Sequence, residues 1–69
     1  MTLHDVYFSE LVQDETIIHL SGKDWRRSGY WYDDGMSYEI YSHKDAKVSA
    51  LFWTDNNGVL DLFVTVDEK

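Results

Sequence analysis

The stretch WRRSGYWYDDGMSYEIY, residues 25–41, decides how the rest of the chain is read. It holds Trp25, Tyr30, Trp31, Tyr32, Tyr38 and Tyr41, six of the eleven aromatic residues. Arg26 and Arg27 precede the Tyr-Trp-Tyr run, and Asp33 and Asp34 follow it. Aspartate side chains bond their own backbone and glycine accepts a positive φ, so Asp33-Asp34-Gly35 reads as a turn. Beyond it, Met36–Ser42 alternates, with Met36, Tyr38 and Ile40 on one side and Glu39 and Tyr41 on the other. Period two is the strand signal, so this segment is expected to be a strand. Residues 22–35 then form a long aromatic connection. Within it, either a short helical turn runs through Trp25-Arg26-Arg27 or Ser28–Tyr32 forms a short edge strand.

The same reading extends outward. Thr16–Ser21 is a clear strand, with Ile18 and Leu20 opposite Ile17 and His19. Ala46–Thr54 alternates Ala46, Val48, Ala50 and Phe52 with Lys47, Ser49, Leu51 and Trp53. Asp55-Asn56-Asn57-Gly58 is a hairpin turn, because Asn-Gly suits two positive φ values. Val59–Val66 returns, with Leu60, Leu62, Val64 and Val66 on one side. Residues 5–12 also alternate and are crowded with aromatic and β-branched side chains, which favours a strand. A helix competes there, because Thr2 and Asp5 fit a capping box and Leu3, Val6 and Tyr7 fit a 3.6 period.

The fold class expected is therefore mainly β. About five antiparallel strands form a meander that stays open or curls toward a partial barrel, with one longer aromatic connection. The alternative is α+β, with residues 2–13 as a helix on the sheet. One face is aliphatic: Ile18, Leu20, Ile40, Val48, Ala50, Phe52, Leu60, Leu62 and Val64 are on it. The second is aromatic and mixed, with Tyr7, Leu11, Ile17, His19, Tyr41, Leu51, Trp53 and Phe63. A single open sheet cannot close a core on both sides. Barrel curvature, the aromatic connection, a second copy or a partner must cover the second face.

Composition narrows the functions. Sixty-nine residues make a single domain, 1–69, that buries only about 60% of its unfolded surface. There is no cysteine and no proline. Residues 1–8 lack the basic and apolar regions of a signal peptide, and no apolar run spans a bilayer, so a cytoplasmic location is expected. Thirteen acids against six bases leave a net charge of −7. Such a chain is repelled by nucleic acid and anionic membranes, and attracted to a basic protein surface.

No chemistry rises from the motifs. There is no nucleophile elbow, no phosphate cradle and no ligand spacing among His4, His19 and His43, so no catalytic residue, metal or cofactor is expected. His19, inside an apolar run, reads as a packed histidine whose polar atoms are satisfied. Stacking on single-stranded nucleic acid would need a positive groove around the aromatics. What remains is protein recognition, for which Trp, Tyr and Arg are the enriched anchors. The expected partner-binding residues are Trp25, Arg26, Tyr30, Trp31, Tyr32, Asp33, Asp34 and Asp55. In the competing view Trp25 and Trp31 fold back over the second face.

In size, acidity, lack of cysteine and proline, and surplus of Tyr and Trp, the chain resembles the small inhibitors encoded by phages and mobile elements. Anti-CRISPR proteins are the largest such group, and toxin-immunity proteins are a neighbouring one. Leu3-His4-Asp5 leading into strand–turn–strand is similar to immunity-like domains. The resemblance spans the whole chain and carries no motif, so no residue role transfers. It implies stoichiometric, non-catalytic binding in a host cytoplasm. Acidic groups, here Asp14, Glu15, Asp33, Asp34, Asp55 and Asp61, would occupy the nucleic-acid site of a CRISPR effector complex or nuclease. The alternative is a toxin-immunity protein or a self-associating accessory domain, a homodimer paired through the second face.

Overall fold

The computed structural model describes residues 1–9, 12–13 and 15–67. Its element order is α1 (Leu3–Tyr7), β1 (Ile17–Ser21), β2 (Arg26–Tyr30), α2 (Asp34–Ser42), β3 (Lys47–Asn56) and β4 (Val59–Asp67). The four strands form one sheet in the order β2-β1-β4-β3. The outer pairs are antiparallel, while β1 and β4 run parallel at the centre. The fold is thus mainly β, and its sheet is mixed and open. A five-stranded antiparallel meander is ruled out by two segments that are helical.

The first is Met36–Ser42, expected as a strand. Asp33 caps it: its side chain accepts from the Gly35 N–H at 3.0 Å, and its carbonyl accepts from the Ser37 N–H at 2.8 Å. Met36 and Ile40 are the buried residues, four apart, which is the helical spacing. Tyr38, which the alternating pattern turned inward, is 70% exposed. The pattern M-S-Y-E-I satisfies both periods, and tertiary packing chose the longer one. The second is the N-terminus, where the capping box forms. The Thr2 N–H donates to Asp5 Oδ2 at 2.9 Å, and the Asp5 N–H donates to Thr2 Oγ1 at 3.4 Å. The helix ends after one turn, so it answers only the first part of the alternative over residues 2–13. The expected place of Leu11 lies outside the described residues, as do Asp14 and the end of the tail.

Both helices sit on one side of the sheet. The core is Leu3 and Val6 from α1, Met36 and Ile40 from α2, and Ile18, Leu20, Leu62, Val64 and Val66 from the two central strands. A β-bulge corrects the two faces read from the sequence. Val48 pairs with Val66, but Ala50 pairs with Thr65, so Ser49 is the extra residue. A bulge shifts the alternation by one. Val48 and Leu51 therefore both pack on the core, while Phe52 turns to the opposite face, where Phe63 also lies. The β3–β4 hairpin forms as expected, with φ of 56° at Asn57 and 85° at Gly58.

Candidate functional site

Among the described residues nothing covers the face of the sheet opposite the helices. Register places three rows of side chains across it. The middle row is Phe52, Phe63, His19 and Ser28, one from each strand. On one side of it run Thr54, Asp61, Ile17 and Tyr30, and on the other Ala50, Thr65, Ser21 and Arg26. The middle row is a ladder of parallel rings. Phe52 and Phe63 lie 4.7 Å apart at 5°, and Phe63 and His19 lie 4.4 Å apart at 10°. That spacing matches the distance between neighbouring strands, so the rings stand on the sheet and face one another. Phe63, between two rings, offers only its edge outward, whereas base or sugar stacking needs a free ring face, which Phe52 keeps on the edge strand alone.

His19 is fixed by two further bonds. Its Nε2 lies 3.0 Å from Asp61 Oδ1 and its Nδ1 lies 2.9 Å from Ser28 Oγ. An ionised carboxylate only accepts, so Nε2–H donates to Asp61, and in the neutral ring Nδ1 accepts from the Ser28 hydroxyl. This bears out the packed, satisfied histidine. Ser28, His19 and Asp61 are 9 and 42 residues apart along the chain. No sequence spacing announces that they meet; only the parallel pairing of β1 with β4 brings them together. On an open face washed by water, the bonds hold the imidazole upright against Phe63. Acyl transfer would ask in addition for a site that excludes water and donors placed for an oxyanion.

The second feature is an arrangement of charge. Strand directions sort the molecule into two ends. One end carries the starts of β1, β4 and α2 and the finishes of β2 and β3. Glu15, Asp33, Asp34, Asp55 and Asp61 are all placed there. Every described Lys and Arg (Lys23, Arg26, Arg27, Lys44 and Lys47) lies toward the other end, called basic for them, together with Asp5, Asp24, Glu39, Asp45 and Asp67, so that end is close to neutral while the first is acidic. Tyr30 and Tyr32 stack at the acidic end, 5.3 Å apart at 11°, with Tyr32 57% exposed. Trp53 on β3 is 53% exposed.

The partner-binding residues expected from the sequence are divided by this geometry. Tyr30, Tyr32, Asp33 and Asp34 stay together at the acidic end. Trp25 and Arg26 are carried to the basic end, because the intervening residues are an extended strand. Trp25 is half-buried there and stacks on His43 at 4.5 Å. Trp31 is half-buried against the core, edge-on to Tyr7 at 6.0 Å. Neither indole folds over the open face. Asp55 shares the acidic end but sits on β3, three strands from Tyr30, which is about 14 Å. Its Oδ1 also accepts from the Gly58 N–H at 3.0 Å, closing the hairpin turn.

A third feature is a groove of about 440 Å³ between the helices, walled by Tyr7, Phe8, Ile40 and Tyr41 with His4 and Lys44 at its rim. Among the described residues no group of three His, Asp or Glu side chains could hold a metal ion. No helix described is long and apolar enough to cross a membrane. No family model matches the chain, and no curated protein or solved structure is significantly similar to it.

Proposed function

We propose that the chain is a non-catalytic, protein-binding inhibitor. It occludes a basic, nucleic-acid-binding surface of a partner such as a CRISPR effector complex or a nuclease. The observation that carries this reading is the segregation of charge. Five carboxylates gather at the end of the sheet where Tyr30 and Tyr32 are exposed, and the described Lys and Arg residues are held away from it. A surface of one sign raises the association rate with an opposite surface, and aromatic anchors then supply desolvated contact. Carboxylates stand in for phosphates on such a partner, so the chain and nucleic acid compete for one site.

The test begins with capture of the partner from a host lysate and continues with the purified pair. Binding should compete with DNA or RNA and weaken steeply between low and moderate salt. Asp34→Lys and Tyr32→Ala should each weaken it about tenfold, a loss of about 1.4 kcal/mol. Lys23→Glu should leave it unchanged. Binding that ignores nucleic acid, salt and both acidic-end variants overturns the reading.

A further inference from the structure

We propose that the open face of the sheet docks a second copy of this chain, about a two-fold axis that lies in the interface and runs across the strands. The two surfaces share Tyr30 and Asp61, whereas Tyr32, Asp33, Asp34 and Asp55 remain outside the paired faces, so Tyr32→Ala and Asp34→Lys test the inhibitor reading alone.

The face is unpartnered among the described residues, and its apolar part runs from Phe52 and Phe63 in the middle row to Ile17 and Tyr30 in the row beside it. Ile17, Phe52, Phe63 and Tyr30 lie on it, with Phe52 55% exposed and Tyr30 42% exposed. Its charged residues, among those described, are Arg26 and Lys47 toward the basic end, Asp67 directly opposite Lys47, and Asp61 toward the acidic end. Lys47 and Asp67 offset each other across their strand pair, which leaves Arg26 and Asp61 as the charges that choose a partner.

Two-fold face-to-face packing has two principal orientations. An axis along the strands lays one acidic end on the other and sets Asp61 toward Asp61, which like charge disfavours. An axis across the strands reverses one copy, so each acidic end lies over the end that holds Arg26. Arg26 of each copy then faces the row of Tyr30, Ile17 and Asp61 in the other. The two ring ladders meet along the axis, edge toward edge, at the usual separation of packed sheets, about 10 Å. Four strands at about 4.8 Å by five residues at about 3.3 Å give a footprint of about 320 Å². Two such faces fall below the roughly 1,200 Å² of a standard interface, so the dimer is weak and depends on concentration.

Sedimentation of the full chain from about 10 µM to about 1 mM covers the range of such an interface. The mass should rise from 8.2 kDa toward twice that value. Phe52→Glu, at an exposed position, should keep the folded spectrum and shift the midpoint at least tenfold higher. The orientation is read separately. The chain has no cysteine, so Ser28→Cys introduces one thiol on the proposed axis. A short bis-maleimide should link Ser28→Cys copies to one another. If the axis runs along the strands, β2 lies over β3, and Ser28→Cys copies link only to Phe52→Cys copies. That result overturns the proposal, as does a mass that stays at 8.2 kDa throughout.

Discussion

Trp31 buries an indole N–H for which the described residues provide no acceptor. A buried donor left unpaired costs about 1–3 kcal/mol, which is comparable to what the larger ring gains by burial. Trp31→Phe removes the donor and keeps the edge-on contact with Tyr7, so its stability should lie within about 1 kcal/mol of the parent. Trp31→Ala should lose about 2–3 kcal/mol by urea denaturation, since it removes packing as well. A large loss in Trp31→Phe would show that the N–H is engaged in solution. Asp5 supplies a second residue-scale expectation. The Thr2 N–H, and then the Thr2 hydroxyl, hold its carboxyl below the usual carboxylate value. A depressed folded pKa adds stability above the unfolded value of about 3.9 and loses it as pH falls through the folded one. Asp5→Asn should therefore melt lower than the parent at pH 7, and the gap should close as acid protonates the carboxyl in the folded chain too. A gap that persists or widens in acid contradicts this assignment. His19 shows where the sequence could be read at this scale. Its apolar neighbours announced a packed ring, while its partners Ser28 and Asp61 depended on strand pairing that no local pattern encodes.

The β3–β4 hairpin and α2 show what could and could not be read at the scale of the element. Asn57-Gly58 demanded two positive φ values, and only one kind of turn supplies them. A Cβ at Gly58 meets nothing within 4 Å, so Gly58→Ala is opposed by backbone conformation alone. It should cost about 1–2 kcal/mol, and the cost should appear in thermal melts with no change in the sheet spectrum. A neutral Gly58→Ala would mean that the turn readily takes another form. In α2 the residues fit both periods, and Tyr and Ile lean toward strand. The signal that spoke for helix was Asp33, a good N-cap, standing before Met36 and Ile40 at a spacing of four. Asp33→Ala should cost about 1 kcal/mol and lower the helical signal, whereas Asp33→Ser should restore most of it. The bulge at Ser49 had no signal of its own. It moved Phe52 from the aliphatic face to the open one, and so changed which residues form the candidate surface.

For the whole molecule, the charge sign was legible in the composition, but its distribution was not. Residues near in sequence, such as Arg26 and Asp33, lie toward opposite ends because β2 is extended between them, and distant ones such as Glu15 and Asp61 share an end because β1 and β4 run parallel. This distribution sets two responses to salt that have opposite sign. Within one chain, Glu15, Asp33, Asp34, Asp55 and Asp61 repel one another across the acidic end, in a molecule with a net charge of −7. Raising NaCl shortens the Debye length from about 30 Å at 0.01 M to about 3 Å at 1 M, and so relieves that repulsion. The surface pairs that salt also screens, such as Arg27 Nε with Glu39 Oε1 at 3.2 Å, are worth little by comparison when exposed. The melting temperature of the dilute monomer should therefore rise with NaCl. Over the same range, the proposed attractions, to a basic partner and of Arg26 in one copy for the acidic end of another, should weaken. Melts at a few concentrations of NaCl, run at low protein concentration to exclude the dimer, separate the two effects. A melting temperature that falls with salt would mean that attractive pairs outweigh the acidic cluster, and the charge would then be distributed evenly in its energetic effect, however uneven it is in space.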